Sequence, residues 1–287
     1  MNEFIGIISL LVVLSVLTAC SLNPSIKKNG SSLGAGFRYS SYGPKYNPGP
    51  DYWLRVGQEM VARFPGAHPE AIWIVGVLYG KGTWLSFPGE STDKLIAFGF
   101  DDENEAALDL FDKNGVKVWL QVEPGDADML QLIDLVLDRY GHHPCVIGFG
   151  VDLEWHHSSN PDEGEGVTDE EAAQWLAAIR KHNPQYRLFL KHWLAEKMPD
   201  TLREGILFVN DSQGFRSLDN MVADFSEWGK AFSPSPVAFQ YGYSSDQKWW
   251  GNLADPPGDI GKAILAQTSN AQGLFWVDFT VLNVFKP

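Results

Sequence analysis

Short runs of β-branched and aromatic residues recur along the chain. Each is followed by a polar loop and in most cases by a stretch with apolar residues at helical spacing. That alternation predicts a parallel α/β protein. Eight runs qualify as strands: 34–40, 71–79, 116–122, 146–154, 187–193, 206–211, 237–243 and 274–280. Their near-continuous hydrophobicity is what burial on both faces demands. Apolar spacing predicts helices over 51–64, 103–113, 126–140, 168–182, 218–232 and 259–268. Thr168 followed three residues later by Glu171 has the form of a capping box and fixes one helix start. Eight strands with intervening helices and no evident linker predict one closed (β/α)8 barrel of the TIM type over 34–287. Because little chain follows the last strand, the final helix should be short or missing. An open doubly wound sheet is the alternative, but the sequence holds neither a GxGxxG turn nor a GxxxxGK[ST] loop.

The first residues have a different character. An apolar run from Phe4 to Ala19 is short for a spanning helix and suits the hydrophobic region of a secretory signal. Asn2 and Glu3 precede it where a signal usually carries positive charge. The run closes in Leu17-Thr18-Ala19-Cys20, which resembles the lipobox of bacterial lipoproteins. That resemblance implies cleavage before Cys20, acylation of Cys20, an extracytoplasmic location in the cell envelope, and a membrane anchor. Residues 1–19 are then a signal peptide and 20–33 a flexible tether. The other cysteine, Cys145, is expected as a buried core thiol.

With 22 Lys and Arg against 36 Asp and Glu, the formal net charge is −14. Such a surface argues against nucleic acid and for a neutral or cationic partner. At 44% hydrophobic residues the chain can bury a large core, which excludes intrinsic disorder.

Barrel active sites form at the C-terminal ends of the strands, and polar residues gather there. Glu123 ends the third strand, Asp152 and Glu154 the fourth, Lys191 and His192 the fifth, and Asn210 with Asp211 the sixth. Gln240 and Tyr241 lie on the seventh strand and Asp278 on the eighth. On a strand, Asp152 and Glu154 would point the same way, with roughly 7 Å between their β-carbons. Repulsion and burial should then hold a proton on one of them, as a general acid near neutral pH requires. Glu154 is the expected general acid/base, assisted by Asp152. Asp278, Asp211 and Glu123 are candidates for a second carboxylate.

The run His143-Pro-Cys-Val-Ile-Gly-Phe-Gly-Val-Asp-Leu-Glu154 resembles the fourth strand of retaining clan A glycoside hydrolases, which implies the acid/base role for Glu154. Leu153 stands where that clan has asparagine, and Gln240-Tyr241 occupy the region of its nucleophile. Asp152-Leu153-Glu154 also resembles the Asp-x-Glu of glycoside hydrolase families 18 and 25. The family 18 likeness implies that Asp152 orients a substrate acetamido group and that Trp276 floors a sugar subsite. Gly148 and Gly150 fill that motif's earlier acidic positions.

Trp155, Trp193, Trp249, Trp250 and Trp276 fall at or just beyond strand ends, where an indole face can stack on a pyranose. Trp73 and Trp119, mid-strand, are expected in the core. No metal or cofactor is expected: the first strand lacks histidine, and adjacent pairs such as His142-His143 cannot both face one metal from a strand. No GxSxG elbow appears. Together these features predict a membrane-tethered glycoside hydrolase acting on a neutral or amino-sugar glycan, with Lys191, His192, Asp211, Gln240, Tyr241, Glu123 and the rim tryptophans binding substrate. The alternatives are a non-catalytic carbohydrate-binding barrel lipoprotein that lost its nucleophile, and an envelope protein whose barrel only scaffolds other proteins.

Overall fold

The structure, a computed structural model, describes residues 33–287. The expected signal, Cys20 and nearly all of the tether lie outside the described residues. The elements in chain order are β1 (Gly34–Tyr39), α1 (Pro50–Ala62), β2 (His68–Tyr79), β3 (Gly82–Leu85), β4 (Ile96–Phe98), α2 (Glu105–Asn114), β5 (Lys117–Val122) and α3 (Met129–Tyr140). They continue with β6 (Val146–Asp152), α4 (Asp169–His182), β7 (Arg187–Lys191), β8 (Ile206–Asn210), α5 (Leu218–Phe232), β9 (Val237–Tyr241), α6 (Gln247–Trp250), α7 (Pro256–Gln267), β10 (Ala271–Trp276) and α8 (Val281–Val284).

Strands β1, β2, β5, β6, β7, β8, β9 and β10 pair in parallel, and β1 pairs with both β10 and β2, so the sheet closes as a (β/α)8 barrel. The eight barrel strands are those the hydrophobic runs predict. The sequence pattern missed β3, which returns antiparallel along the end of β2, and β4, which pairs with β3. Both are too short to show a period. The connection from β7 to β8 carries a single 3₁₀ turn, Ala195–Lys197, and the last helix, α8, is as short as expected. At α4 the capping box is complete: the Thr168 hydroxyl accepts from the Glu171 N–H, and the Glu171 carboxylate accepts from the Thr168 N–H.

Side chains on alternate positions divide between two cores, as strand geometry requires. The larger lies between strands and helices. The smaller holds Ile72, Trp119, Phe189, Leu207, Val209, Ala238 and Phe275. These fill the barrel interior as a packed plug rather than a pore. Gly148 and Gly150 follow from that filling. A β-carbon at Gly148 would lie 2.5 Å from Cζ3 of Trp119, and one at Gly150 would lie 2.0 Å from Cζ of Phe189. Aromatic rings thus occupy the space that acidic side chains would need at these positions. At the end where the strands begin, Glu70 accepts from Nε1 of Trp119 at 2.6 Å and contacts His68. Toward the strand C-terminal ends the inward side chains change from apolar to Gln121, Asp152, Lys191 and Gln240.

Candidate active site

β6 ends at Asp152, and the chain turns at once into a 3₁₀ turn, Leu153–Trp155. Asp152 starts this turn: its Oδ1 accepts from the Glu154 N–H at 3.2 Å. The two acids are therefore neighbours through a side-chain cap, and not as two positions on one strand. Lys191, the last residue of the adjacent strand β7, reaches between them. Its Nζ lies 2.9 Å from Oδ2 of Asp152 and 2.5 Å from Oδ2 of Asp211, and it also contacts Oε1 of Glu154. Asp211 directly follows β8 and is 4% exposed. Its second oxygen, Oδ1, is buried and meets no hydrogen-bond donor among the described residues.

One ammonium cannot balance three buried carboxylates. The pair Lys191–Asp211 takes the charge: despite the upward push of burial, Lys191 and a hydrogen bond with Glu154 hold Asp211 down at about 2. Lys191 itself, although burial opposes its charge, is raised by the carboxylates around it. The other two acids are pushed toward their protonated forms. Burial, outweighing Lys191 and added to by the charges of Glu123 and Asp211, pushes Asp152 up to about 7. Burial and the charge of Asp211 raise Glu154 well above the carboxylate range. This arrangement provides a protonated acid beside an ionised one, the pairing that acid/base chemistry on one substrate requires.

These groups line a cavity of about 370 Å³ together with Arg38, Tyr42, Leu78, Glu123, Trp155, Gln213, Tyr243 and Phe279. Tyr42 donates to Oε1 of Glu123, whose Oε2 accepts from the Leu78 N–H at 2.8 Å. Phe279, 44% exposed, stacks over Tyr42 at the mouth. A second hollow of about 250 Å³ is lined by Asp162, Trp193, Asp211, Ser212 and Gln213. The two hollows adjoin at Asp211 and Gln213.

The structure thus brings Glu123, Asp152, Glu154, Trp155, Lys191 and Asp211 into one cavity and Trp193 into its neighbour. The other expected residues lie elsewhere. Asp278 is fully buried behind the rim, where Oδ1 accepts from Arg38 at 2.6 Å and Oδ2 accepts from the Ser40 N–H and hydroxyl. It positions Arg38, whose Nη2 donates to Tyr42 at 3.0 Å. Trp276 is 0% exposed and packs edge-on against Tyr241 and Trp250, so its indole offers no face to a ligand. Tyr241 points to the same outer core and donates to the Pro257 carbonyl. Strand parity explains both: Gln240 and Phe275 face the interior, so Tyr241 and Trp276 face the helices. Gln240 is buried and accepts from Tyr243 at 3.2 Å. His192 is buried, its Nδ1 accepts from the Leu194 N–H, and burial lowers its pKa to about 4. Trp249 donates to the Phe215 carbonyl outside the cavity. Arg38, Tyr42, Gln213, Tyr243 and Phe279 were missed. Of these only Arg38, a charge within an otherwise apolar strand, left a sequence signal.

Solved structures resemble this barrel. One from Bacteroides thetaiotaomicron, described as a "putative alpha-L-fucosidase", aligns with a TM-score of 0.56 and 12% identity over 93% of this chain and 91% of that one. A beta-glucuronidase from an uncultured Clostridium species aligns with a TM-score of 0.47 and 11% identity over 86% of this chain and 43% of that one. At 12% identity the first of these likenesses supports the barrel fold alone. No protein-family model and no curated protein matches the chain.

Proposed function

We propose that the protein is a membrane-tethered glycoside hydrolase with Glu154 as general acid/base and Asp211 as the second carboxylate. The observation that carries this reading is that Glu154 and Asp211 meet at the Lys191 ammonium on the wall of an open cavity, where burial raises Glu154 and Lys191 lowers Asp211. In the first step Glu154 gives its proton to the glycosidic oxygen while the carboxylate of Asp211, which lines both hollows, attacks the anomeric carbon. The leaving sugar departs as an alcohol and a glycosyl ester forms on Asp211. In the second step the Glu154 carboxylate takes a proton from water, which displaces Asp211 and restores both groups. Lys191 holds Oδ2 of Asp211 throughout.

The contacts to Lys191 support retention of anomeric configuration. Retaining pairs stand about 5–5.5 Å apart and inverting pairs about 6.5–9.5 Å. Two carboxylates whose oxygens touch one ammonium stand nearer the retaining arrangement than the inverting one. The adjoining hollows support subsites on either side of Asp211, with Trp155 in one and Trp193 in the other as stacking faces. The likeness to a protein described as a "putative alpha-L-fucosidase" is consistent with a carbohydrate substrate.

One observation favours the binding-only alternative: Lys191 engages all three acids at once, and substrate must displace part of that set. Release of reducing sugar from a panel of neutral and amino-sugar glycans separates the two. Turnover by the wild type that Glu154→Gln abolishes supports the hydrolase. Binding without turnover by both proteins supports the alternative.

A further inference from the structure

Outside the cavity, two histidines and a glutamate direct three ligand atoms at one point. His142 and His143 lie in the turn between α3 and β6, and Glu105 opens α2. Nε2 of His143 is 3.4 Å from Oε1 of Glu105, and Nε2 of His142 is 3.7 Å from the same oxygen. All three atoms lie within 4.8 Å of one another.

The other ring nitrogens fix the tautomers. Nδ1 of His143 meets Oδ2 of Asp112 at 2.7 Å, and Nδ1 of His142 meets the Arg139 carbonyl at 3.0 Å. A carboxylate and a carbonyl only accept, so each Nδ1 donates, and each neutral ring presents its lone pair at Nε2. Nε2 of His143 is buried and has no hydrogen-bond partner among the described residues, on a side chain 2% exposed. Two imidazole nitrogens and a carboxylate oxygen converge on one point.

We propose that Glu105, His142 and His143 form a site for a divalent transition-metal ion, with Zn²⁺ as its representative. A zinc ion about 2.0–2.1 Å from each ligand sets tetrahedral neighbours about 3.4 Å apart, close to the separations of both nitrogens from Glu105. Two imidazoles and one carboxylate select a borderline metal over Mg²⁺ or Ca²⁺. His142 and Glu105, 62% and 42% exposed, leave the fourth position to water. Asp112 is a positioning residue, the carboxylate that orients a metal-binding histidine through its far nitrogen. The ion would clip α2 to the turn before β6, and none of these residues lines the cavity. Adjacent histidines diverge on a strand. These two sit in a turn, where both rings reach the same side, 4.1 Å apart. The other pair, His156-His157, is less suited, because the neighbouring Glu171 carboxylate is already engaged by the Thr168 N–H and hydroxyl.

The test is zinc chloride titrated into the metal-free full chain, read by competition with a chromogenic chelator and by thermal unfolding. One Zn²⁺ per chain at micromolar affinity or tighter is expected, with Tm rising by about 5–10 °C at a hundredfold excess over Kd. His142→Ala and Glu105→Gln, both at exposed positions, should each weaken binding at least tenfold, and Asp112→Asn by about 10–100-fold. Millimolar Mg²⁺ should leave Tm unchanged. Absence of saturable binding, or binding that His142→Ala and Glu105→Gln leave intact, overturns the site.

Discussion

The Lys191 ammonium is held 2.5 Å from Oδ2 of Asp211, and the other oxygen of that carboxylate meets no donor among the described residues. The pair is buried, and removing one member strands the other without its counter-charge. Lys191→Met should therefore lower unfolding free energy by about 3–5 kcal/mol. The double variant Lys191→Met/Asp211→Asn should lose less than the sum of the single losses, because the stranded charge is gone. Urea unfolding of the four proteins measures this coupling.

Stability should depend on pH through two acids with opposite signs. Burial, against the pull of Lys191, raises Asp152 to about 7, whereas an unfolded aspartate titrates near 3.9. Between about pH 4 and 7 the folded chain keeps on Asp152 a proton the unfolded chain has lost, so the Asp152 contribution to stability falls as pH rises and levels above about 7. Burial pushes Asp211 up, but Lys191 prevails and holds it at about 2. Its contribution is full above about pH 4 and is lost as pH falls toward 2. Thermal unfolding across this range should show Asp152→Asn flattening the decline between 4 and 7, and Asp211→Asn removing the loss on the acid side.

Gly150→Ala tests the filled barrel. Its methyl would stand 2.0 Å from Cζ of Phe189 in a closely packed interior. Overpacking of this kind costs about 1–3 kcal/mol. A lower urea midpoint is expected, with part of the loss recovered in Gly150→Ala/Phe189→Leu.

The eight barrel strands were legible because burial on both faces leaves an unbroken apolar signature, as in Ile206–Asn210 and Val237–Tyr241. The cluster of Asp152, Glu154, Lys191 and Asp211 was legible for a related reason: a charge at the end of such a run must lie at the barrel mouth. The geometry joining them was not legible. Glu154 belongs to a 3₁₀ turn capped by Asp152, and the pattern extended the strand through both. Side-chain parity was also hidden. Trp276 and Tyr241 belong to the outer core because each follows an inward-facing neighbour, and composition at a strand end carries no such phase. Tyr42 and Phe279 meet only through loops distant in sequence.

Anchoring through Cys20 is tested by fractionation. Wild type expressed with its N-terminal segment should partition with membranes, and Cys20→Ser should not carry acyl chains, a change intact-mass measurement reads directly.

The central claim is that Glu154 donates a proton to the departing sugar oxygen. Its most direct measurement is kcat/KM of wild type and Glu154→Gln on glycosides of one sugar with leaving groups of graded acidity. The account predicts a loss of about 10²–10⁴-fold for alkyl or sugar leaving groups that need the proton, shrinking toward no loss for a strongly acidic nitrophenol. Equal losses across the series, or none, would contradict it.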